Sequence, residues 1–185
     1  GPSKQNRHYE PWTVLVELLR EAFDALAAND PPAAKAQVAR WRSFRLPVFR
    51  RFEMYALAKL ELFPVKEGLE FLVTEKSSWW MWSHVASREA TMLTDTIWPT
   101  LCPADRERLV NAIVAGPPRE MYRADLSADD WTEHKDRHIW RRLKRIETLD
   151  EFGHPAIAVP PWRLAIDGVD DKYRVSAPVG MYKPN

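Results

Sequence analysis

A chain of 185 residues with 45% hydrophobic content is long enough to bury a real core, and this excludes a disordered polypeptide. Its 27 Lys and Arg against 26 Asp and Glu leave a net charge of +1, which excludes any global attraction to nucleic acid or membrane. One cysteine, Cys102, excludes an intrachain disulfide, and no apolar run approaches the roughly 18 residues of a transmembrane helix, so a soluble cytoplasmic protein is expected.

Gly1-Pro2-Ser3 is neither an initiator Met nor a signal peptide and reads as the scar of a cleaved tag, so residues 1–9 are expected to be a disordered lead. The missing Met fits a fragment of a larger protein. From Pro11 to about Ala28, Val14, Leu15, Leu18, Leu19, Ala22 and Leu26 recur at spacings of three and four and predict an amphipathic helix with that stripe inward. Asn29-Asp30-Pro31-Pro32 ends it and starts a second helix from Pro32 to about Ser43. A third is predicted from Pro47 to Leu62, with Phe49, Phe52, Ala56 and Leu60 on one face, and a shorter one from Val65 to Thr74.

Ser77-Ser78 predicts an N-cap for one helix that carries Trp79, Trp80, Trp82, Val85, Ala86, Ala90 and Leu93 and ends near Trp98-Pro99. Pro103 opens the next, through Ala115, with Leu109, Ile113 and Val114 inward; Gly116-Pro117-Pro118 stops it. Ser127 caps a last long helix from Ala128 to Leu149, striped by Trp131, His138, Ile139, Leu143 and Ile146. Residues 150–185 lose helical periodicity and read as an irregular surface tail with a short strand near Trp162–Ile166. The fold class is therefore all-α: about seven helices over residues 10–149, stacked as a HEAT- or TPR-like α-solenoid or as an irregular helical bundle.

Candidate chemistry is sparse. His134 and His138 share a helix face at the i, i+4 spacing of metal ligands, but no third ligand is evident and Lys135 and Arg137 repel a cation; the pair reads as a solvated helix face, and neither metal nor cofactor is expected. Cys102, between Leu101 and Pro103, reads as an ordinary half-buried thiol. Two arginine clusters, Arg40, Arg42, Arg45, Arg50 and Arg51, then Arg137, Arg141, Arg142, Lys144 and Arg145, have the donors that grip phosphate, with Trp41 or Phe44 near enough to stack on bases. Interspersed Glu53, Glu133, Asp136 and Glu147 argue for surface pairing instead.

Trp79-Trp80-Met81-Trp82 is the most distinctive string. Successive residues point in different directions around a helix, so three Trp cannot enter one core: either neighbours wrap the helix on several sides, or some Trp form an interaction surface. In Ser87-Arg88-Glu89-Ala90 the structural reading of the charges is a buried ion pair to another helix. There is no G-x-G-x-x-G, P-loop or G-x-S-x-G string, and Gly116-Pro117-Pro118-Arg119 lacks the N–H donors of a phosphate cradle.

Four strings stand in order along the chain: Leu46-Pro47-Val48-Phe49-Arg50-Arg51, Trp79-Trp80-Met81-Trp82 with Arg88-Glu89, Gly116-Pro117-Pro118-Arg119-Glu120-Met121-Tyr122, and Pro161-Trp162-Arg163-Leu164-Ala165. Together they resemble landmarks of the helical C-terminal regions of large bacterial proteins that carry a sirtuin-like or STAND-type NTPase effector half and are associated with anti-phage defence. The resemblance implies sensing, oligomerisation or effector control rather than catalysis. The stretch from Asp150 to Pro160 departs from it in length, and the effector half is missing, so NAD cleavage and ATP hydrolysis are not implied for this chain. The expectation is a non-enzymatic helical recognition or scaffold module. Its binding residues are Trp79, Trp80, Trp82, Arg50, Arg51, Arg119, Arg141 and Arg142, and its partner is a phage protein or other domains of the parent chain. The alternative is a nucleic-acid-binding helical domain that uses the arginines.

Overall fold

Proline sets many of the helix starts, because its fixed φ and missing N–H suit a first turn. In the computed structural model, which describes residues 11–153 (side chains of 11–13, 75–78 and 150–153 excepted), Pro11, Pro31, Pro47 and Pro103 each open a helix. The described residues form α1 (Pro11–Asn29), α2 (Pro31–Ser43), α3 (Pro47–Leu57), α4 (Val65–Val73), α5 (Glu75–Trp82), α6 (Ser87–Ile97), α7 (Pro103–Ala115) and α8 (Ala128–Gly153). Short 3-10 turns lie at His84–Ala86, Trp98–Thr100 and Arg119–Met121, and no strand occurs among these residues. The fold is all-α as expected. No described helix is long and apolar enough to cross a membrane.

Two polar side chains cap helix starts, Ser127 as read from the sequence and Asp30 in addition. Asp30 Oδ1 accepts the Ala33 N–H at 3.0 Å to start α2, and Ser127 Oγ accepts the Asp130 N–H at 3.1 Å while its hydroxyl donates to Asp130 Oδ2 at 2.6 Å. Gly116 ends α7 with φ +81° and ψ 179°, a region essentially confined to glycine. The Ser77-Ser78 cap is corrected: Thr74 closes α4, takes an extended backbone and leads straight into α5 at Glu75, so both serines lie within the helix.

The single helix expected from Ser78 to Trp98 is also corrected. Ser83 is extended and a 3-10 turn follows, so α5 and α6 are separate helices packed on each other. Helix α3 stops at Leu57 rather than Leu62, and turns closed on the Lys59 carbonyl carry Leu62 and Phe63 into the core. Val114 is exposed, because Leu109, Val110 and Ile113 take the buried face of α7. Helix α8 runs to Gly153, and the strand expected near 162–166 lies outside the described residues.

Helices pack on sequence neighbours and also on more distant ones, α3 on α6 and α4 on α6 and α7, while α8 lies on α7 and the turn at Trp98. Gly68 permits the close approach of α4 to α6: a Cβ there would sit 3.1 Å from Leu93 Cδ1 and 3.2 Å from Ile97 Cγ2. Arrangement of α1 departs most from expectation. Its buried positions are Arg20, Phe23 and Ala27, whereas Val14, Leu15, Leu18 and Leu19 are 49%, 66%, 54% and 38% exposed. Two contacts outside the expected stripe accompany this rotation. Phe23 stacks on Trp41 with ring centroids 5.0 Å apart, and Arg20 reaches through to Glu89 of α6.

Candidate functional site: a cationic and aromatic cleft

The first arginine cluster is largely engaged within the fold. Arg42 Nε and Arg50 Nη1 donate to the two oxygens of buried Glu53 at 2.6 and 2.5 Å. Arg50 Nη2 also donates to the Arg42 carbonyl at 2.6 Å. Glu89, only 1% exposed, accepts from Arg20 Nη2 at 2.5 Å and from Arg51 Nη2 and Nε at 2.9 and 3.1 Å. Glu89 thus makes the buried interhelical ion pair read from Ser87-Arg88-Glu89-Ala90, joining α1, α3 and α6, while Arg88 is exposed and takes no part. Arg119 donates to the carbonyls of Arg123 at 2.8 Å and Leu126 at 3.1 Å, with its guanidinium 5.2 Å from the Trp131 ring centre. Arg50, Arg51 and Arg119 therefore hold helices and a loop in place.

The second cluster is arranged differently. Ile139, Leu143 and Ile146 are the buried stripe of α8. Positions 138, 141, 142 and 145, spaced by three and four, line a neighbouring face that looks onto α5 and α6. Arg145 is clamped by Asp95 of α6, Nε to Oδ1 at 2.9 Å and Nη2 to Oδ2 at 2.5 Å, a bidentate pair that fixes α8 against α6. Arg141 is exposed. Arg142 lies with its guanidinium 4.6 Å from the centre of the Trp82 ring. Its Nε is buried without a hydrogen-bond partner, and among the described residues no carboxylate pairs with it. Burial pushes its pKa down to about 10.

These side chains line a cavity of about 500 Å³, together with Met81, His84, Ser87, Thr91 and Thr94. A second cavity of about 440 Å³ shares Trp82, His84 and His138 with it and is otherwise walled by Trp79, Trp80, Val85, Tyr122 and Pro47. The two adjoin across these shared residues as neighbouring lobes, one cationic and one aromatic. His138 stands at the seam, half-buried, edge-on to Trp82 with centroids 6.4 Å apart. Burial, then the charges of Arg142 and Arg141, hold its pKa below the usual histidine range. Tyr122 packs on Trp131 at 5.0 Å and on His134 and His138, each at 6.1 Å, and its burial raises its hydroxyl pKa.

The tryptophan run divides around its helix. Trp82 is 4% exposed in the core edge, Trp80 is half-buried and Trp79 is 45% exposed. Arg141 and Arg142 thus line one cavity, Trp79 and Trp80 its neighbour, and Trp82 both, whereas Arg50, Arg51 and Arg119 line neither. Sequence reasoning missed His84, Ser87, Thr91, Thr94 and Asp95; the last three recur at helical spacing on α6 and were readable as one polar face. Among the described residues no three His, Cys, Asp or Glu side chains converge as a metal site. Cys102 is exposed rather than half-buried, because it precedes Pro103 at the start of α7, where its Sγ donates to Asp105 Oδ2 at 3.4 Å.

A guanidinium drawn out of water without a counter-ion carries a desolvation cost that a bound anion relieves, and its planar donors suit phosphate or carboxylate oxygens. Such a cleft can bind and orient an anion. Comparison of the chain with protein-family profiles, curated proteins and solved structures gives no match.

Proposed function

We propose that this protein is a non-enzymatic recognition module that captures an anionic ligand in the cleft between α8 and the α5–α6 pair. The observation that carries the reading is Arg142: a half-buried cation with a buried, unpartnered Nε that lines a cavity, stacks on Trp82 and has no carboxylate partner among the described residues. A cavity of this size suits a small ligand. A pocketed ligand is better supported than an extended nucleic-acid strand, because Arg42, Arg50 and Arg51 are occupied by Glu53 and Glu89. In the defence setting that the resemblance implies, the captured anion is the signal that the module reads.

Thermal unfolding in a phosphate-free buffer, with inorganic phosphate or pyrophosphate titrated in at low ionic strength, tests this. Saturating ligand at 100 times its Kd stabilises a folded protein by about 2.7 kcal/mol, and the gain should vanish in Arg142→Gln. No stabilisation of the native protein by either anion would refute the reading.

A scaffold role has its own support in the exposed stripe Val14, Leu15, Leu18 and Leu19 of α1, which is the kind of surface that a protein partner covers. Leu15→Ser with Leu18→Ser should leave helicity intact and abolish partner capture from lysates of infected bacteria. Unchanged capture would sink this second role.

A further inference from the structure

We infer that the ligand of the cleft is a nucleotide, its phosphate held by Arg142 and its base stacked on the tryptophans of α5. This rests on the anion reading above and adds the identity of the ligand's uncharged part. The two cavities, about 500 and 440 Å³, share Trp82, His84 and His138 in their walls and so lie side by side. A bare anion or a sugar phosphate would use only the lobe of Arg141 and Arg142 and leave the other without function. That second lobe is walled by Trp79, Trp80 and Trp82. Trp79 is 45% exposed on it, beside half-buried Trp80. Trp is a residue type that folding normally covers, and an uncovered indole in a cavity beside a cationic lobe is the arrangement that stacks nucleobases. In the cationic lobe, Ser87 and Thr91 add hydroxyls within the same cavity as Arg142. Half-buried His138 sits where the two lobes meet, placed to donate to a phosphate once it is protonated.

Isothermal titration of the full chain with AMP, GMP, phenyl phosphate, inorganic phosphate and a short 5′-phosphorylated single-stranded oligonucleotide tests the assignment. One base on an aromatic platform should tighten binding over inorganic phosphate by about 5- to 150-fold, the equivalent of about 1–3 kcal/mol. Trp79→Ala should bring nucleotide affinity down to that of inorganic phosphate and leave phosphate binding unchanged. Trp79→Phe, which keeps a ring, should restore most of the difference, and circular dichroism controls for folding. Arg142→Gln should remove both. If AMP and GMP bind no tighter than inorganic phosphate while Arg142 still matters, the anion reading stands and the nucleotide is wrong. If phenyl phosphate matches or exceeds the nucleotides, an aryl phosphate such as a phosphotyrosine side chain replaces it. An oligonucleotide tighter than either mononucleotide makes the ligand a strand end and overturns a free nucleotide. No binding by any probe overturns the anion reading itself.

Discussion

Replacing Arg142 with Met should make the unliganded protein more stable, which is the reverse of what losing a structural arginine does. Burial pushes the guanidinium well below its ordinary value, down to about 10. At about 1.4 kcal/mol per pKa unit, holding it charged in the fold costs about 3 kcal/mol. The folded pKa lies below the unfolded one, so the unfolded chain binds more protons only between those two values, and stability climbs with pH there. At neutral pH both states are charged and the whole cost is present. Stacking over Trp82 at 4.6 Å returns about 1–2 kcal/mol in a desolvated setting. Met keeps the stem's volume and has no charge to desolvate, so Arg142→Met should gain about 1–2 kcal/mol. For a domain of this size that is about 3–6 °C in Tm. The assay is thermal unfolding followed by circular dichroism in phosphate-free Tris buffer, repeated with saturating phosphate. The order of the two proteins should then reverse, because only the native arginine gains from the anion. A variant less stable than the native protein in the absence of anion would show that Arg142 is fully compensated by its surroundings, and the argument for an anion site would fail with it.

Glu89→Gln should cost about 3–5 kcal/mol, near 10 °C in Tm, since it strands Arg20 and Arg51 in the interior; a shift under about 2 °C would mean water reaches the triad. Gly116→Ala should lose about 1–3 kcal/mol in urea unfolding through its positive φ. A Cβ there also meets Lys135 Cε at 2.6 Å, but that side chain can swing away, so adding Lys135→Ala should recover little. A full recovery would assign the cost to the contact instead of the backbone. Burial, then the neighbouring arginine charges, hold His138 below the usual histidine range, so as pH falls through that range the unfolded chain takes up a proton that the folded one resists, and stability drops. His138→Gln should flatten the difference between urea midpoints at pH 7.5 and 5.5; equal slopes in both proteins would remove His138 as the cause.

What could be read from the sequence, and what could not, divides along the range of the interactions. Helix limits follow local rules, so Ser127, Pro103 and Gly116 act where they were placed; of the stripe Trp131, His138, Ile139, Leu143 and Ile146, the last three are buried and the first two only half-buried. Arg50 with Glu53, three residues apart, was within reach of the same rules. The rotation of α1 was not, because Arg20 answers to Glu89, which is 69 residues away. The same distinction decides the site. Arg141, Arg142 and Arg145 are equivalent as letters on one helix face. They become three different groups only through residues elsewhere: Asp95, 50 residues before Arg145, neutralises that arginine, Trp82 covers Arg142 without neutralising it, and Arg141 is left to solvent. Two residues can prove a pair, whereas an unpaired charge is a property of everything around it. It needs the whole packed neighbourhood to be visible, and for that reason a cleft of this kind emerges from the structure even where the residues that line it were already marked in the chain.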